Sequence, residues 1–382
     1  MKIAYISSSL FPSKSANSIH VLHQCEALSK IGADITLFAR RNNFKSNNLL
    51  EDIQLNYGLK LEKILLKTIY LPFSKFQNFF IGIISFLHLF FTKKFEIIIS
   101  RNLVNYFLLS VINKKGLIIE IHSIEKGFRQ TLQNIACKNK NCLKIAISNQ
   151  LKKDLLKNIG NDCGKIIVLR DAAPLKSNSV NNYQIERWNE KYLYEFKKFK
   201  FKVGYFGHLY EGRGIDIIID VAKSLPNFLF VIVGGNSKDV EKNRENNNFK
   251  NIIYLGHIPH QNALIGMHCV DVLLMPYQKK VSIGICNSDT SKWMSPMKMF
   301  EYMSASRPII ASNLMALKEV LKNGQNCLLV APNNVNAWKN AILKITSNKS
   351  LSKTISKNAF NDYLYNFTWD ARAKAIIINA NV

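Results

Sequence analysis

The sequence predicts an α/β protein built from two Rossmann-like domains. The chain has 382 residues, more than a typical single domain, and 47% of them are hydrophobic, which is enough for two cores. Short apolar runs alternate with helical patterns along most of the chain, as expected for parallel sheets made of βα units. The alternation stops at residues 181–199 and then restarts, so we predict two such domains in succession.

In the first half, apolar runs of strand length predict one parallel sheet. We expect its strands at residues 2–6, 34–39, 96–100, 117–121, 144–148 and 165–169. Helical patterns lie between them, for example at residues 20–30 and 150–158. These elements give a predicted N-terminal domain of residues 1–180.

A second set of strands follows a segment rich in charged and aromatic residues. That segment, residues 181–200, is the predicted connection between the domains. We expect the later strands at residues 202–206, 229–234, 251–255, 271–276, 308–311 and 327–330. The predicted C-terminal domain therefore covers residues 201–366, and Thr368 is the expected cap of a final helix.

The net charge of the chain indicates which kinds of partner it attracts. Lys and Arg exceed Asp and Glu by 52 to 26, a formal net charge of +26 that attracts anionic partners. Part of this excess reflects a Lys- and Asn-rich composition. The sequence contains no zinc-knuckle spacing, helix-turn-helix context or aromatic RNA-binding motif, so no nucleic-acid partner is expected. The seven scattered cysteines suggest reduced thiols in the cytoplasm.

The most apolar stretch is residues 79–91, between Lys75 and Lys93. It is shorter than the roughly 20 residues that a membrane-spanning helix needs. Its apolar residues lie all round a helix, which favours a buried helix over one lying on a membrane surface. Peripheral contact with an anionic inner-membrane surface stays open, because basic residues flank the stretch.

The segment from Ser295 contains a predicted anion site. Ser295 is a good N-cap and Pro296 suits the first helical position, which would put Lys298 at the third. A cation there opposes the helix dipole unless an anion such as a phosphate binds the helix start. Glu301, one turn on, could accept hydrogen bonds from sugar hydroxyls. An ordinary exposed Lys–Glu pair on an amphipathic helix is the alternative.

Residues 295–303, Ser-Pro-Met-Lys-Met-Phe-Glu-Tyr-Met, resemble the nucleotide-sugar site of retaining glycosyltransferases of the GT-B fold, close to glycosyltransferase family four. The resemblance continues in order through residues 146–152, 203–216 and 254–276. It implies a GT-B fold, with the two domains facing across a cleft, and a closing helix at 367–380 that crosses back to the first domain. It also implies that Glu301 binds the ribose and Ser295 the donor. Trp293 replaces a family Glu that contacts the transferred sugar, which leaves the sugar open.

A glycine-containing turn after the strand at 202–206 is the second part of the predicted donor site. Gly207 and Gly212 would let backbone amides approach a ligand. In the family an Arg and a Lys of this turn bind the donor pyrophosphate, and here His208 and Arg213 stand in their places. Arg213 could bind phosphate through two parallel hydrogen bonds. The alternative is a plain turn with a surface cation.

The first domain contributes Glu120 and His122, which lie two residues apart at the end of a predicted strand. The carboxyl ends of parallel strands form the usual ligand crevice of such sheets. The resemblance implies that these two residues lie beside the transferred sugar. His122 could hydrogen-bond a sugar hydroxyl, or it could be a satisfied core residue.

The resemblance also implies an activity: transfer of a sugar, with retention, from a nucleotide-sugar donor to a glycan or lipid-linked acceptor in cell-surface polysaccharide or glycoconjugate synthesis. His122, Arg213 and Lys298 are the predicted catalytic residues. The donor phosphate would itself take the acceptor proton, so catalysis depends on positioning and electrostatics. No Asp-x-Asp motif ends a strand, so no metal and no cofactor are expected. A non-catalytic partner subunit and a nucleotide-sugar 2-epimerase are the alternatives.

Overall fold

The chain forms two compact α/β units. The computed structural model describes residues 1–380 except 14, 42–50, 52, 54–56, 58, 60, 62, 72–75, 93, 176–179, 246–248, 283 and 285–288. Unit 1 consists of Met1–Asp171 and Trp369–Val382, and unit 2 of Ala172–Thr368. Each unit contains one parallel sheet, which confirms the predicted fold class.

Unit 1 is built on a 7-stranded parallel sheet with the order β3-β2-β1-β4-β5-β6-β7. Its strands are β1 (Lys2–Phe11), β2 (Asp34–Arg41), β3 (Ile64–Tyr70), β4 (Ile97–Ser100), β5 (Leu117–Ile121), β6 (Leu143–Ala146) and β7 (Ile166–Val168). The central strand β1 is fully buried from Ile3 to Ile6, because helices cover both faces of a parallel sheet. It extends beyond the predicted residue 6, and its pairing with β2 shifts register between Ile6 and Leu10.

The first helices of unit 1 are α1 (Ala16–Lys30), α2 (Gln77–Phe91), α3 (Leu103–Val111), α4 (Phe128–Lys138) and α5 (Asn149–Ile159). The helix predicted to be buried, α2, is buried on one side only. Ile81, Gly82, Ser85 and Leu89 are buried, whereas the opposite side of the helix is exposed and apolar. The apolar pattern alone did not show that the sheet and its neighbours cover only one side. Lys75 and Lys93 lie outside the described residues.

Unit 2 contains a 6-stranded parallel sheet with the order β10-β9-β8-β11-β12-β13. Its strands are β8 (Phe201–Phe206), β9 (Phe228–Val233), β10 (Ile252–Gly256), β11 (Val272–Met275), β12 (Ile309–Ser312) and β13 (Leu328–Val330). Its helices are α6 (Asn182–Leu193), α7 (Ile215–Ser224), α8 (Ser237–Glu245), α9 (His260–His268), α10 (Met297–Ser304), α11 (Met315–Lys318), α12 (Val335–Ser347) and α13 (Lys349–Asn366).

The segment predicted to connect the domains is part of unit 2. Asn181 caps α6 in a capping box with Gln184, and Trp188 and Leu193 are buried in the unit 2 core. A Cβ on Gly266 would lie 2.5 Å from the Trp188 ring, so a glycine is needed for this packing. The units divide between Asp171 and Ala172, before the predicted connection at 181–200.

The last helix, α14 (Trp369–Ala380), belongs to unit 1. Arg372 anchors it: its Nε donates to the Arg170 carbonyl at 3.0 Å, Nη1 donates to Gln24, and Nη2 lies 3.2 Å from Glu120 Oε1. Trp369 packs edge-on against His20, with ring centroids 4.8 Å apart. Helix α14 is therefore fixed to the buried carboxylate of Glu120 on β5.

Two expectations from the sequence concern the cysteines and the possibility of a membrane-spanning helix. Cys25, Cys137, Cys142, Cys163, Cys269 and Cys327 are buried and free, and Cys286 lies outside the described residues. None of the helices described is both long and apolar enough to cross a bilayer.

Replacing Arg372 tests how α14 is held. We expect Arg372→Met to lower the free energy of unfolding by about 3 kcal/mol, because it leaves the Glu120 carboxylate buried with one cation fewer. Urea unfolding followed by circular dichroism measures this. Lys374→Met, at an exposed position of the same helix, should have almost no effect. Equal stability of the two variants would contradict the anchoring role of Arg372.

Candidate active site

The donor site predicted in unit 2 begins at the end of β8. Gly207 has φ 150° and its amide donates to the Val233 carbonyl at 2.8 Å. Gly212 has φ 78°, and a Cβ there would lie 1.9 Å from the Lys280 carbonyl oxygen. Both positions therefore require glycine: Gly207 leaves space beside Lys298 at the start of α10, and Gly212 allows close packing against the Lys280 backbone.

Lys298 lies against this turn. Its Nζ is 3.2 Å from where a Cβ of Gly207 would be, so a side chain there would crowd the ammonium. The helix starts one residue later than predicted: Pro296 is the N-cap and makes no side-chain cap bond, and buried Ser295 precedes it. Lys298 is thus the second residue of α10 and not the third. Ser295 therefore lies one position before the N-cap and is not the N-cap itself.

Three tyrosine rings surround the Lys298 ammonium. Its Nζ lies 4.0 Å from the ring centre of Tyr205, 4.6 Å from that of Tyr277 and 5.9 Å from that of Tyr302. It is buried and has no hydrogen-bond partner among the described residues. Burial, together with repulsion from Arg213, lowers the pKa of Lys298 well below its ordinary value. Cation–π attraction offsets part of the desolvation cost but leaves three N–H donors unused.

Arg213 and His208 lie in the same region. The Arg213 guanidinium donates to the Ser282 carbonyl at 3.0 Å and lies 4.8 Å from the Tyr277 ring centre. Neither Arg213 nor Lys298 forms an ion pair with a carboxylate in the described part of the chain. His208 stacks on Tyr210 at 4.6 Å. Burial, with the nearby charges of Arg213 and Lys298, lowers the pKa of His208, so the imidazole is neutral without an anion.

Glu301 lies one turn beyond Lys298 on α10. It is buried, with 8% of its surface exposed. His260 Nε2 lies 2.7 Å from its Oε1 and is positioned to donate to it. This contact fixes the carboxylate in a defined orientation. The Lys298 ammonium and the Glu301 carboxylate are therefore both buried. They do not form the exposed Lys–Glu pair that was the alternative interpretation of the sequence.

In unit 1, Glu120 is the centre of a buried cluster of charged groups. Its Oε1 lies 3.0 Å from His20 Nε2, 2.9 Å from His122 Nε2 and 3.2 Å from an Arg372 nitrogen. Arg101 Nε is 3.7 Å away. Burial raises the pKa of this carboxyl, but the attraction of Arg372 and Arg101 outweighs it, and the pKa is held well below its usual range. Glu120 is therefore ionised at neutral pH.

His122 follows β5 and is the most accessible member of the cluster, although it is mostly covered, with 31% of its side chain accessible. Burial of the ring and repulsion from Arg101 lower the pKa of His122 to about 4. The neutral imidazole donates from Nε2 to the ionised Glu120, so Nδ1 carries the lone pair. His122 can accept a hydrogen bond from a hydroxyl group through that nitrogen.

The buried imidazole of His20 completes the cluster. Its Nδ1 lies 3.0 Å from Asp171 Oδ1 on the side opposite Glu120. His20, Glu120 and His122 could present one metal ligand each, since the three atoms lie within 4.8 Å of one another. The residues around them do not suit a cation, because the two guanidinium groups of Arg101 and Arg372 already lie against the shared carboxylate.

Part of the chain is similar to a known protein family. Residues 200–348 match the sequence model of the family described as Glycosyl transferases group 1. The matched residues lie within unit 2. An uncharacterized glycosyltransferase of Methanocaldococcus jannaschii, MJ1069, is 27% identical over 237 residues, which cover 60% of this chain and 56% of that relative. The matched part is thus only about half of the relative's length.

Solved structures resemble the whole chain. Anabaena HepE in complex with UDP-glucose superposes with a TM-score of 0.73 at 17% identity, over 100% of this chain and 99% of that one. A glycosyltransferase from Rickettsia africae gives a TM-score of 0.76 at 16% identity, over 100% and 97% of the two chains. At these identities the likeness establishes the fold, which is GT-B.

Within the part of unit 2 that matches this family model, the structure brings five of the predicted donor residues into one neighbourhood. Gly207, Lys298 and Arg213 are linked by proximity or electrostatic interaction, His208 interacts with the same two cations, and Glu301 acts electrostatically on Lys298. The tyrosines around Lys298 were missed. Tyr302 carried a usable signal, because it follows Lys298 by four residues and shares its helix face.

Other members of the unit 1 cluster had no sequence signal. His20, Arg101 and Asp171 lie on separate elements, and Arg372 is near the opposite end of the chain from His20. Glu120 and His122 were found because their spacing places them at the end of one strand. Their partners are set by the tertiary structure alone.

The depressed pKa of His122 predicts a pH dependence of stability. The folded protein takes up this proton near pH 4, whereas an unfolded histidine does so near 6.5, so the free energy of unfolding rises as the pH rises from about 4 to 6.5. His122→Gln should flatten this part of the curve. The pKa of Glu120 is lowered too, so its contribution to the free energy of unfolding is lost only as the pH falls below about 4.5. The natural protein and His122→Gln share this contribution.

Two measurements check this expectation. Urea unfolding at several pH values compares the natural protein with His122→Gln, and NMR of the imidazole follows the titration directly. We expect His122 to be neutral with a protonated Nε2 at pH 6. Titration of His122 at pH 6.5 or above would contradict it.

Proposed function

We propose that the protein is a retaining, metal-independent glycosyltransferase that uses a nucleotide-diphosphate sugar as donor. The proposed acceptor is a glycan or lipid-linked sugar in cell-surface polysaccharide or glycoconjugate synthesis. We also propose that it works in the cytoplasm at the inner membrane. No cofactor takes part, because the nucleotide-sugar is a substrate.

One observation carries this proposal: a buried ammonium, Lys298, has no hydrogen-bond partner in the described structure. Burying an ammonium without a partner costs several kcal/mol, and such a group is explained when a ligand supplies the anion. Arg213 adds a second cation without an ion-paired carboxylate in the described residues, and the start of α10 adds a helix dipole of the same sign. A pyrophosphate suits this set of groups.

The proposed mechanism follows from the charges. The pyrophosphate gains negative charge as the bond to the sugar breaks, and Lys298 and Arg213 stabilise that charge. The donor phosphate accepts the proton of the attacking hydroxyl on the same face, so the chain need not supply a nucleophile. We assign His122 the role of holding a hydroxyl of the transferred sugar through its unprotonated Nδ1.

Glu301 is proposed to bind the ribose. His260 holds one carboxylate oxygen, and the second can accept hydrogen bonds from the two ribose hydroxyls. The likeness to Anabaena HepE, whose structure contains UDP-glucose, supports UDP as the first nucleotide to test.

Replacement of Lys298 tests the phosphate site. Lys298→Met should weaken UDP binding by about 1.5–3 kcal/mol, roughly tenfold to a hundredfold, because a charge-assisted contact is lost. Without nucleotide, the variant should be as stable as the natural protein or more so, since a buried charge is removed. Calorimetry and thermal unfolding measure the two effects.

Lys279→Met, at an exposed position of unit 2, is the control and should change neither property. If Lys298→Met lowers the stability of the free protein and leaves UDP affinity unchanged, Lys298 is a structural residue and the proposed donor site is wrong.

Replacement of Glu301 tests ribose binding separately. Glu301→Gln removes the charged acceptor, so affinity for UDP should fall by about tenfold while affinity for 2′-deoxy-UDP falls much less. Calorimetric titration of both nucleotides gives the comparison. Glu241→Gln, on the exposed side of α8, should leave both affinities unchanged. An equal loss for the two nucleotides would argue against contact with the 2′-hydroxyl.

A further inference from the structure

Helix α2 presents a continuous apolar surface to solvent. Its exposed side chains, with their exposed fractions, are Phe79 (49%), Phe80 (39%), Ile84 (40%), Leu87 (46%), Phe90 (49%) and Phe91 (80%), preceded by Phe76 (74%) at the N-cap. They recur every three or four residues and thus form one stripe along the helix. A stripe of this kind marks an interaction surface, whereas single exposed apolar residues need no explanation.

The opposite side of α2 is fixed in unit 1. A Cβ on Gly82 would lie 2.5 Å from Asn102 Oδ1, so the glycine allows close packing against the start of α3. Asn105 donates to Ser85 Oγ at 2.9 Å, and Asn102 donates to the Asn78 carbonyl at 2.7 Å. These buried polar contacts prevent α2 from rotating to bury its outer stripe.

Basic residues lie beside the stripe. Lys67 of β3 contacts His88 of α2, with 3.1 Å between their nitrogens. Lys94 follows Phe91 by three residues, a reach of at most about 10 Å. It lines a cavity of about 470 Å³ together with Lys2 and Lys63, and Asp34 is the acidic side chain there. Lysines therefore outnumber acids at this edge of the unit 1 sheet.

We propose that α2 docks unit 1 onto an anionic lipid bilayer, with the phenylalanine stripe at the level of the acyl chains and Lys63, Lys67 and Lys94 on lipid phosphates. The helix has 15 residues, about 22 Å, which is too short to cross the hydrocarbon core and suits a helix lying in the interface. The side of α2 opposite the stripe packs against unit 1 and is not exposed to water.

The positive charge of the protein favours an anionic bilayer over a second copy of the chain as the partner of the stripe. Two copies with a formal charge of +26 each repel one another, whereas the cytoplasmic leaflet has a negative potential that attracts lysines. The inference deepens the membrane location in the proposed function. It does not depend on the donor site in unit 2, and Lys298→Met should bind vesicles as the natural protein does.

Vesicle flotation of the full chain tests the proposal. The protein should float with vesicles of phosphatidylcholine and phosphatidylglycerol, less with phosphatidylcholine alone, and less as salt rises from 0.05 to 0.5 M, because salt screens the lysines. The variant Leu87→Ser/Phe91→Ser should reduce the bound fraction at least about tenfold. Lys63→Gln/Lys94→Gln should weaken binding to the anionic vesicles only.

The control is Phe128→Ser, because Phe128 is 76% exposed on α4 of the same unit and lies outside the stripe. It should bind vesicles as the natural protein does. Sedimentation of each variant without lipid checks fold and oligomeric state. No flotation of the natural protein, equal flotation of Leu87→Ser/Phe91→Ser, or a dimer that this variant abolishes would each overturn the proposal.

Discussion

The buried carboxylate of Glu120 is the interaction on which unit 1 depends. An isolated carboxylate in a protein interior is costly, and here the guanidinium groups of Arg101 and Arg372 and the imidazole groups of two histidines compensate it. These four groups come from different parts of unit 1, so the positions of those parts are coupled to one another. The same charge orients His122, which links the stability of the unit to its proposed chemistry.

Unit 2 uses the opposite arrangement. There the buried charge is a cation, Lys298, which has no ion-pair partner among the described residues. Aromatic rings surround it in place of a carboxylate. Tyrosine faces attract a cation but do not accept its hydrogen bonds, so the donors stay available. The close turn at Gly207 keeps the space beside the ammonium free. A ligand site of the kind proposed here would lower the stability of the free protein, and ligand binding would restore it.

The sheets could be predicted from the sequence because strands buried on both faces give continuous apolar runs. The strand β3 was missed, since it is an edge strand, half-buried and interrupted by Lys67. The start of the proposed donor site was predicted from Lys298, a cation placed against its helix dipole. The partners of Glu120 and the exposed side of α2 were not predictable, because each depends on which elements become neighbours in three dimensions.

The place of Arg372 in the sequence also sets the order in which the molecule can be completed during synthesis. Chains are made from the N-terminus, and domains usually fold as units while the rest is still being translated. Glu120 is translated early, but α14 follows the whole of unit 2. Until the ribosome has released that last helix, the nascent unit 1 has a carboxylate that lacks one of its cations. Unit 1 therefore gains this cation only after unit 2 has been translated.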